Sequence, residues 1–145
     1  MAERFELQQG TARWVLGAPY NPWEEPHFGW RVATELHDGA MNAATDAGID
    51  GWSDDSRGLT VAGFVAELAA SWRGWHGVRR WRSLDHELQL DARHDGHGHV
   101  DLGVTLRESG ADFVGRHWCA RTVFVLEAGE ETGRLSSDLA DALRH

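Results

Sequence analysis

Residues 60–102 read TVAGFVAELAASWRGWHGVRRWRSLDHELQLDARHDGHGHVDL and pass from helical to strand periodicity within one run. Its first part carries Val61, Phe64, Val65, Leu68 and Trp72 at helical spacing, behind Thr60 as an N-cap. The spacing predicts a helix over 61–72 with one apolar face, ended by Gly74 and Gly77. Beyond Trp81 the period changes from helical to two. Leu84, His86, Leu88, Leu90 and Ala92 point one way, and Asp85, Glu87, Gln89, Asp91 and Arg93 the other. That alternation predicts a half-buried antiparallel strand over 84–92. Asp95-Gly96-His97-Gly98 then turns the chain into a second strand, with Val100, Leu102, Val104 and Leu106 on its inner face.

Outward from this block the alternation continues. Phe5 and Leu7 alternate with Glu6 and Gln8, and a turn at Gln9-Gly10-Thr11 leads to a strand over 12–16. Pro19, Pro22 and Pro26 make 17–27 a loop, because proline cannot supply ladder donors. Phe28, Trp30, Val32, Thr34 and Leu36 mark a third strand, and 40–47 returns as a fourth. Residues 48–58 read as a polar loop holding Trp52, Asp54 and Asp55. After a loop at 108–112, a long strand runs through Trp118, Ala120, Thr122, Phe124 and Leu126. A last helix over 130–143 places Leu135, Leu139, Ala142 and Leu143 together. Strands without crossover helices predict an α+β fold: a single antiparallel β-sheet of about six to seven strands packed against a central helix, plus a C-terminal helix. Residues 1–145 are expected to form a single globular domain.

Composition removes several chemistries. All 14 basic side chains are arginine, so the lysine of a Schiff base or a P-loop is missing. The formal net charge is −9, which opposes binding to nucleic-acid backbones and is compatible with a basic protein partner or simply with solubility. One cysteine, Cys119, cannot form an internal disulfide. The first residues carry no charged and apolar leader, and no run of 18 apolar residues occurs. A cytosolic location is therefore expected, with no membrane association. Abundant Ala, Gly, Asp and Arg point to a GC-rich, actinobacterial genome.

Several motifs carry a resemblance. Trp72-Arg73-Gly74-Trp75, Trp81-x-Ser83-Leu84, Leu88-x-Leu90 and Arg93-His94-Asp95-Gly96-His97-Gly98-His99-Val100 resemble an actinobacterial family of unknown function, DUF6228. Leu126-Glu127-Ala128-Gly129-Glu130-Glu131 ahead of a leucine-bearing helix is similar too, and the likeness extends over about residues 28–143. The layout of strands, helix, three strands and helix also resembles small immunity proteins of the WapI type, which neutralise secreted bacterial toxins. The first resemblance implies no activity, cofactor or catalytic residue.

Three constellations remain as candidates. His94, His97 and His99 with Asp95 offer imidazole and carboxylate groups suited to zinc, or they simply decorate a solvated turn. A site confined to one turn lacks the rigid outer shell that ligation needs. Arg73, Arg79, Arg80 and Arg82 interleave with Trp72, Trp75 and Trp81, either to stack bases or to cover core tryptophans. Trp72 is expected in the core, His86 as a hydrogen-bonded core histidine and Cys119 as a buried strand residue. Trp23-Glu24-Glu25 and Trp52-Ser53-Asp54-Asp55 place tryptophan beside paired carboxylates in loops. They read as partner-binding residues Trp23, Glu24, Glu25, Trp52, Asp54 and Asp55, or as tryptophans folded back over a sheet edge. The expected function is a non-catalytic protein-binding domain, an immunity-type protein acting on a basic toxin domain, with no cofactor. The alternative is a small cytosolic enzyme or metal-binding protein using the turn from His94 to His99.

Overall fold

The computed structural model describes residues 4–23, 29–55, 57–108 and 118–145. Strand β1 (Phe5–Gln9) turns at Gly10 into β2 (Ala12–Leu16), and the positive φ of 59° at Gly10 suits glycine. Strand β2 pairs with β3 (Arg31–Asp38), which pairs with β4 (Met41–Gly48), giving a four-stranded antiparallel sheet in the order β1-β2-β3-β4. The alanine-rich fourth strand therefore forms as the sequence indicates.

A second sheet begins directly afterwards. Ile49, only 3% exposed, is the corner: its N–H donates to the Trp30 carbonyl and its own carbonyl accepts from Val61. Strands β5 (Asp50–Ser53) and β6 (Arg57–Thr60) follow, so the expected polar loop over 48–58 is instead a hairpin. Helix α1 (Val61–Ala70) comes next, then β7 (Val78–Ser83), β8 (Leu88–His94), β9 (His99–Arg107), β10 (Cys119–Glu127) and helix α2 (Glu130–Ala142). The six-stranded sheet has the order β10-β9-β8-β7-β5-β6, with every pairing antiparallel. The α+β class and the antiparallel pairing hold. The expected single sheet packed against a central helix does not, because the chain leaves the first sheet at Ile49 and starts another.

The two sheets face each other, with β9 and β10 lying against β2, β3 and β4. Their edges are tied as well. The Gln9 amide pairs with both backbone groups of Val125, at 2.7 and 2.9 Å, joining β1 to β10 as a strand would. Helix α1 packs on β5, β6 and β7, and α2 packs on α1, β1 and β10. One cluster of buried side chains runs from Phe5 to Leu143. Trp14 and Trp81 lie fully inside it, each with its indole N–H satisfied, by Thr34 Oγ1 at 3.0 Å and the Leu59 carbonyl at 2.8 Å.

Local chemistry explains where elements start and stop. Thr60 caps α1 by accepting from the Gly63 N–H at 3.0 Å, and Val61, Phe64, Val65 and Leu68 are buried as the helical spacing requires. Helix α1 ends at Ala70, so Trp72 leaves the apolar face and is 49% exposed, contrary to its expected place in the core. The expected strand over 84–92 is interrupted. Ser83 closes a turn by donating to Glu87 Oε1 and accepting from the Leu88 N–H, while its carbonyl accepts from His86. Leu84 and His86 are consequently exposed, and His86 takes a φ of 65° rather than a core position. The hairpin of β8 and β9, the long strand β10 and the amphipathic α2 form as read. Phe28 and residues 109–112 lie outside the described residues. Among the described residues, no helix is long and apolar enough to cross a membrane.

Candidate functional site

Where the chain passes from one sheet to the other, a cleft of about 270 Å³ opens between the approach to β3, the Gly48-Ile49-Asp50 corner and the turn from β7 to β8. Its walls are largely apolar. Trp23 stands on one side, 61% exposed, with its N–H bound to Asn21 Oδ1 at 3.1 Å. Its ring lies against Gly29, where an added Cβ would come within 3.1 Å of Cε3, and the φ of 85° there also favours glycine. Trp30 forms a second wall. It stacks on His145 with centroids 4.2 Å apart, and its indole nitrogen is buried without a partner among the described residues. Leu84, 51% exposed, closes the third side.

Behind the cleft sits an ion-pair network linking the two sheets. Arg31 Nε donates to Asp46 Oδ2 at 2.7 Å, and Nη2 donates to the Asp46 carbonyl and to Glu87 Oε2, both at 2.8 Å. The Glu87 side chain is only 2% exposed, and its second oxygen accepts from Ser83 Oγ at 2.9 Å. Tyr20 donates to the same Asp46 oxygen, Oδ2. Burial alone would lower the Arg31 pKa, but Asp46 and Glu87 outweigh it and hold the guanidinium protonated. The Tyr20 hydroxyl is pushed up by burial and by Asp46, which suits it to donating rather than ionising. At the mouth, by contrast, the carboxylates of Asp50 and Asp85 have no hydrogen-bond or ion-pair partner among the described residues.

The candidates named from sequence do not converge. Trp23 belongs to the cleft, while Glu24 and Glu25 lie outside the described residues. Trp52 is a residue of β5 rather than of a loop, 40% exposed, and shares a separate shallow recess with Asp54, Arg80 and Arg82. Asp54 is 3.8 Å from Arg80, and Asp55 is exposed in the bend after β5. The turn is organised by its backbone. His94 Nδ1 accepts from the Gly96 N–H at 2.9 Å, so Nε2 carries the proton and donates to the Trp72 carbonyl at 3.0 Å. Asp95 accepts from the N–H groups of His97 and His99, which hold its carboxyl below the ordinary range. Among the described residues, no group of three or more His, Cys, Asp or Glu is arranged to hold a metal ion.

The arginines and tryptophans of this block separate into a core part and an exposed part. Trp81 is core, Arg79 covers Trp75 at 4.7 Å, and Arg73 lies 5.0 Å over the exposed Trp72. Cys119 is exposed at the start of β10, not buried as expected, because it shares the outward face of the strand with Arg121, Val123 and Val125, opposite the buried Thr122, Phe124 and Leu126. Sequence reading missed Trp30, Arg31, Asp50, Leu84, Asp85 and Glu87. Asp50 stood in an apparent loop, and Arg31 meets Glu87 from 56 positions away. Leu84 and Asp85 matched the parity of a strand they do not join.

The family of unknown function DUF6228 matches over residues 24–145. The chain belongs to DUF6228. The matched span takes in every cleft residue described above except Trp23. No curated protein matches the chain, and no solved structure matches it.

Proposed function

We propose that this DUF6228 protein is a non-catalytic, single-domain recognition module that binds a basic protein partner in the cytosol of an actinobacterial host. The form we favour is an immunity protein clamped on a toxin domain. One observation carries the reading: Trp23 and Leu84, 61% and 51% exposed, flank one open cleft at the junction of two rigid sheets. Large exposed apolar side chains grouped around a concavity mark interaction surfaces, and tryptophan is a preferred anchor in them. The formal net charge of −9 supports a basic partner, since it speeds encounter without fixing the contact. His94, the first residue of the alternative metal or catalytic turn, has both ring nitrogens engaged by backbone groups, which favours the binding reading.

The test is binding kinetics against a basic toxin domain encoded beside this gene. Wild type should bind and protect cells. Trp23→Ala should cost about 2 kcal/mol, seen chiefly as a roughly 30-fold faster dissociation. The on-rate should fall as salt rises. A wild-type protein that neither binds nor protects would remove the immunity assignment for that pair.

A further inference from the structure

We infer that the cleft between Trp23, Trp30 and Leu84 takes the side chain of an arginine presented by that basic partner, an inference that rests on the binding role just proposed. The argument starts from charge. Among the described residues, Asp50, Asp85 and Arg31 are the charged groups that line the cleft, and Asp46 and Glu87 pair with Arg31 behind it; the Arg107 guanidinium bonds the back of the same turn at the His86 carbonyl. Arg31 does not invite an anion, because its Nε and Nη2 are already committed to Asp46 and Glu87. Asp50 and Asp85 have no such commitment among the described residues. They stand on opposite elements, the first residue of β5 and the turn after β7, with the Asp50 carbonyl bound to the Leu84 N–H at 3.3 Å to fix their spacing. A cation at the mouth meets two unpaired carboxylates.

The walls narrow the choice among cations. Two indole rings line the cleft, and an aromatic face attracts a cation while excluding water from it. A guanidinium is planar, weakly hydrated and able to stack, and its five donors fork toward two acceptors at once. An ammonium offers a strongly hydrated point charge and no stacking face. The apolar stem of arginine would lie along Leu84, which is otherwise left 51% exposed. About 270 Å³ accommodates one such side chain and little more. The Trp30 ring is held by stacking on His145 and not by its own N–H, so its indole proton reports any shift of the wall.

The experiment is an NMR titration of the full chain, labelled with nitrogen-15, using N-acetyl-arginine amide as the probe. N-acetyl-lysine amide and N-acetyl-citrulline amide serve as matched controls, citrulline keeping the shape and removing the charge. The arginine probe should give saturable shifts at the indole protons of Trp23 and Trp30 and at the amides of Asp50 and Asp85. Citrulline should bind at least about tenfold more weakly, and Asp50→Asn with Asp85→Asn should lose about the same factor. Both aspartates and Trp23 line the open cleft, so these variants should keep the wild-type spectrum elsewhere. Equal binding of citrulline, equal or tighter binding of lysine, or saturable shifts confined to the recess of Trp52 and Arg80 would overturn the assignment.

The two readings separate cleanly. If the arginine probe fills the cleft but no basic protein partner binds, the partner role falls and the cation site stands. If a toxin domain binds wild type and the Asp50→Asn, Asp85→Asn double variant alike, the partner role stands and the arginine site falls.

Discussion

Replacing Glu87 by leucine would leave the Arg31 guanidinium facing an apolar side chain in a place where it is only 13% exposed. Arg31 would keep Asp46, at 2.7 Å to its carboxylate and 2.8 Å to its carbonyl, so one of its two carboxylate partners is lost. Ser83 would lose the acceptor for its hydroxyl as well, in a residue that is fully buried. Removing one partner of a buried ion pair costs about 3–5 kcal/mol, and the surviving Asp46 contact places this case near 3 kcal/mol. With a urea dependence of about 1–3 kcal/mol per molar, the unfolding midpoint should fall by roughly 1–3 M. The control is the double variant Arg31→Met, Glu87→Leu. Replacing both should recover part of the loss, because the buried charge is gone and the Asp46 carboxylate left behind is a third exposed and keeps Tyr20 as a donor. A single variant within about 1 kcal/mol of wild type, or a double variant worse than the sum of its parts, would refute the network as the tie between the sheets.

Two further outcomes follow from the geometry. At Gly51 an added Cβ would sit 2.1 Å from the Arg82 carbonyl and 2.6 Å from the Trp81 ring, so Gly51→Ala should destabilise by about 3 kcal/mol or prevent folding; unchanged thermal unfolding would show that β5 does not lie on Trp81. Asp38 accepts from Thr122 and Thr11, and those bonds lower its pKa below the unfolded value. Its contribution to stability is therefore present above the unfolded carboxyl range, near about pH 4, and is lost as pH falls through the folded pKa. Asp38→Asn should remove part of that acid limb, to which Asp95 and Glu35, also held below their ordinary values, contribute, and an unaltered limb would remove Asp38 as a contributor.

How much of this was legible depended on range. The start of α1 was readable because Thr60 and the apolar spacing act within a few residues, and the hairpin of β8 and β9 because its alternation and turn glycines are adjacent. Trp72 was misplaced since counting helical positions cannot detect that Ser71 ends the helix. The same limit hid the break at Ser83. Alternation persists by coincidence through Leu84 and His86, while the carboxylate that makes the turn buries itself against Arg31 from another sheet. Sheet membership was not legible at all. Nothing local in Asp50–Ser53 says that this polar tetrad pairs with β7, because the pairing is read by Gly51 lying on Trp81. Of the candidate residues, Trp23 reached the cleft, and its partners there are contributed by segments that pattern reading had assigned to a loop and a strand interior.

The corner that divided the sheets is also what makes the cleft. A continuous single sheet would carry Gly48 and Asp50 along one strand and leave no concavity between them. Turning the chain at Ile49 instead sets β3 and β4 at an angle to β5 and β7, and the gap between them is walled by Trp30, Leu84 and Trp23. Arg31 of β3 and Glu87, in the turn between β7 and β8, tie the two sheets behind this gap, and Asp46 and Glu87 balance the guanidinium charge there. On the proposed binding role, stability and recognition reside in neighbouring but separate residues. Glu87 belongs to the buried ion-pair network behind the cleft, whereas Trp23, Asp50 and Asp85 line its open side. A Glu87 variant should lose stability and binding together, and an Asp85 variant should lose binding alone.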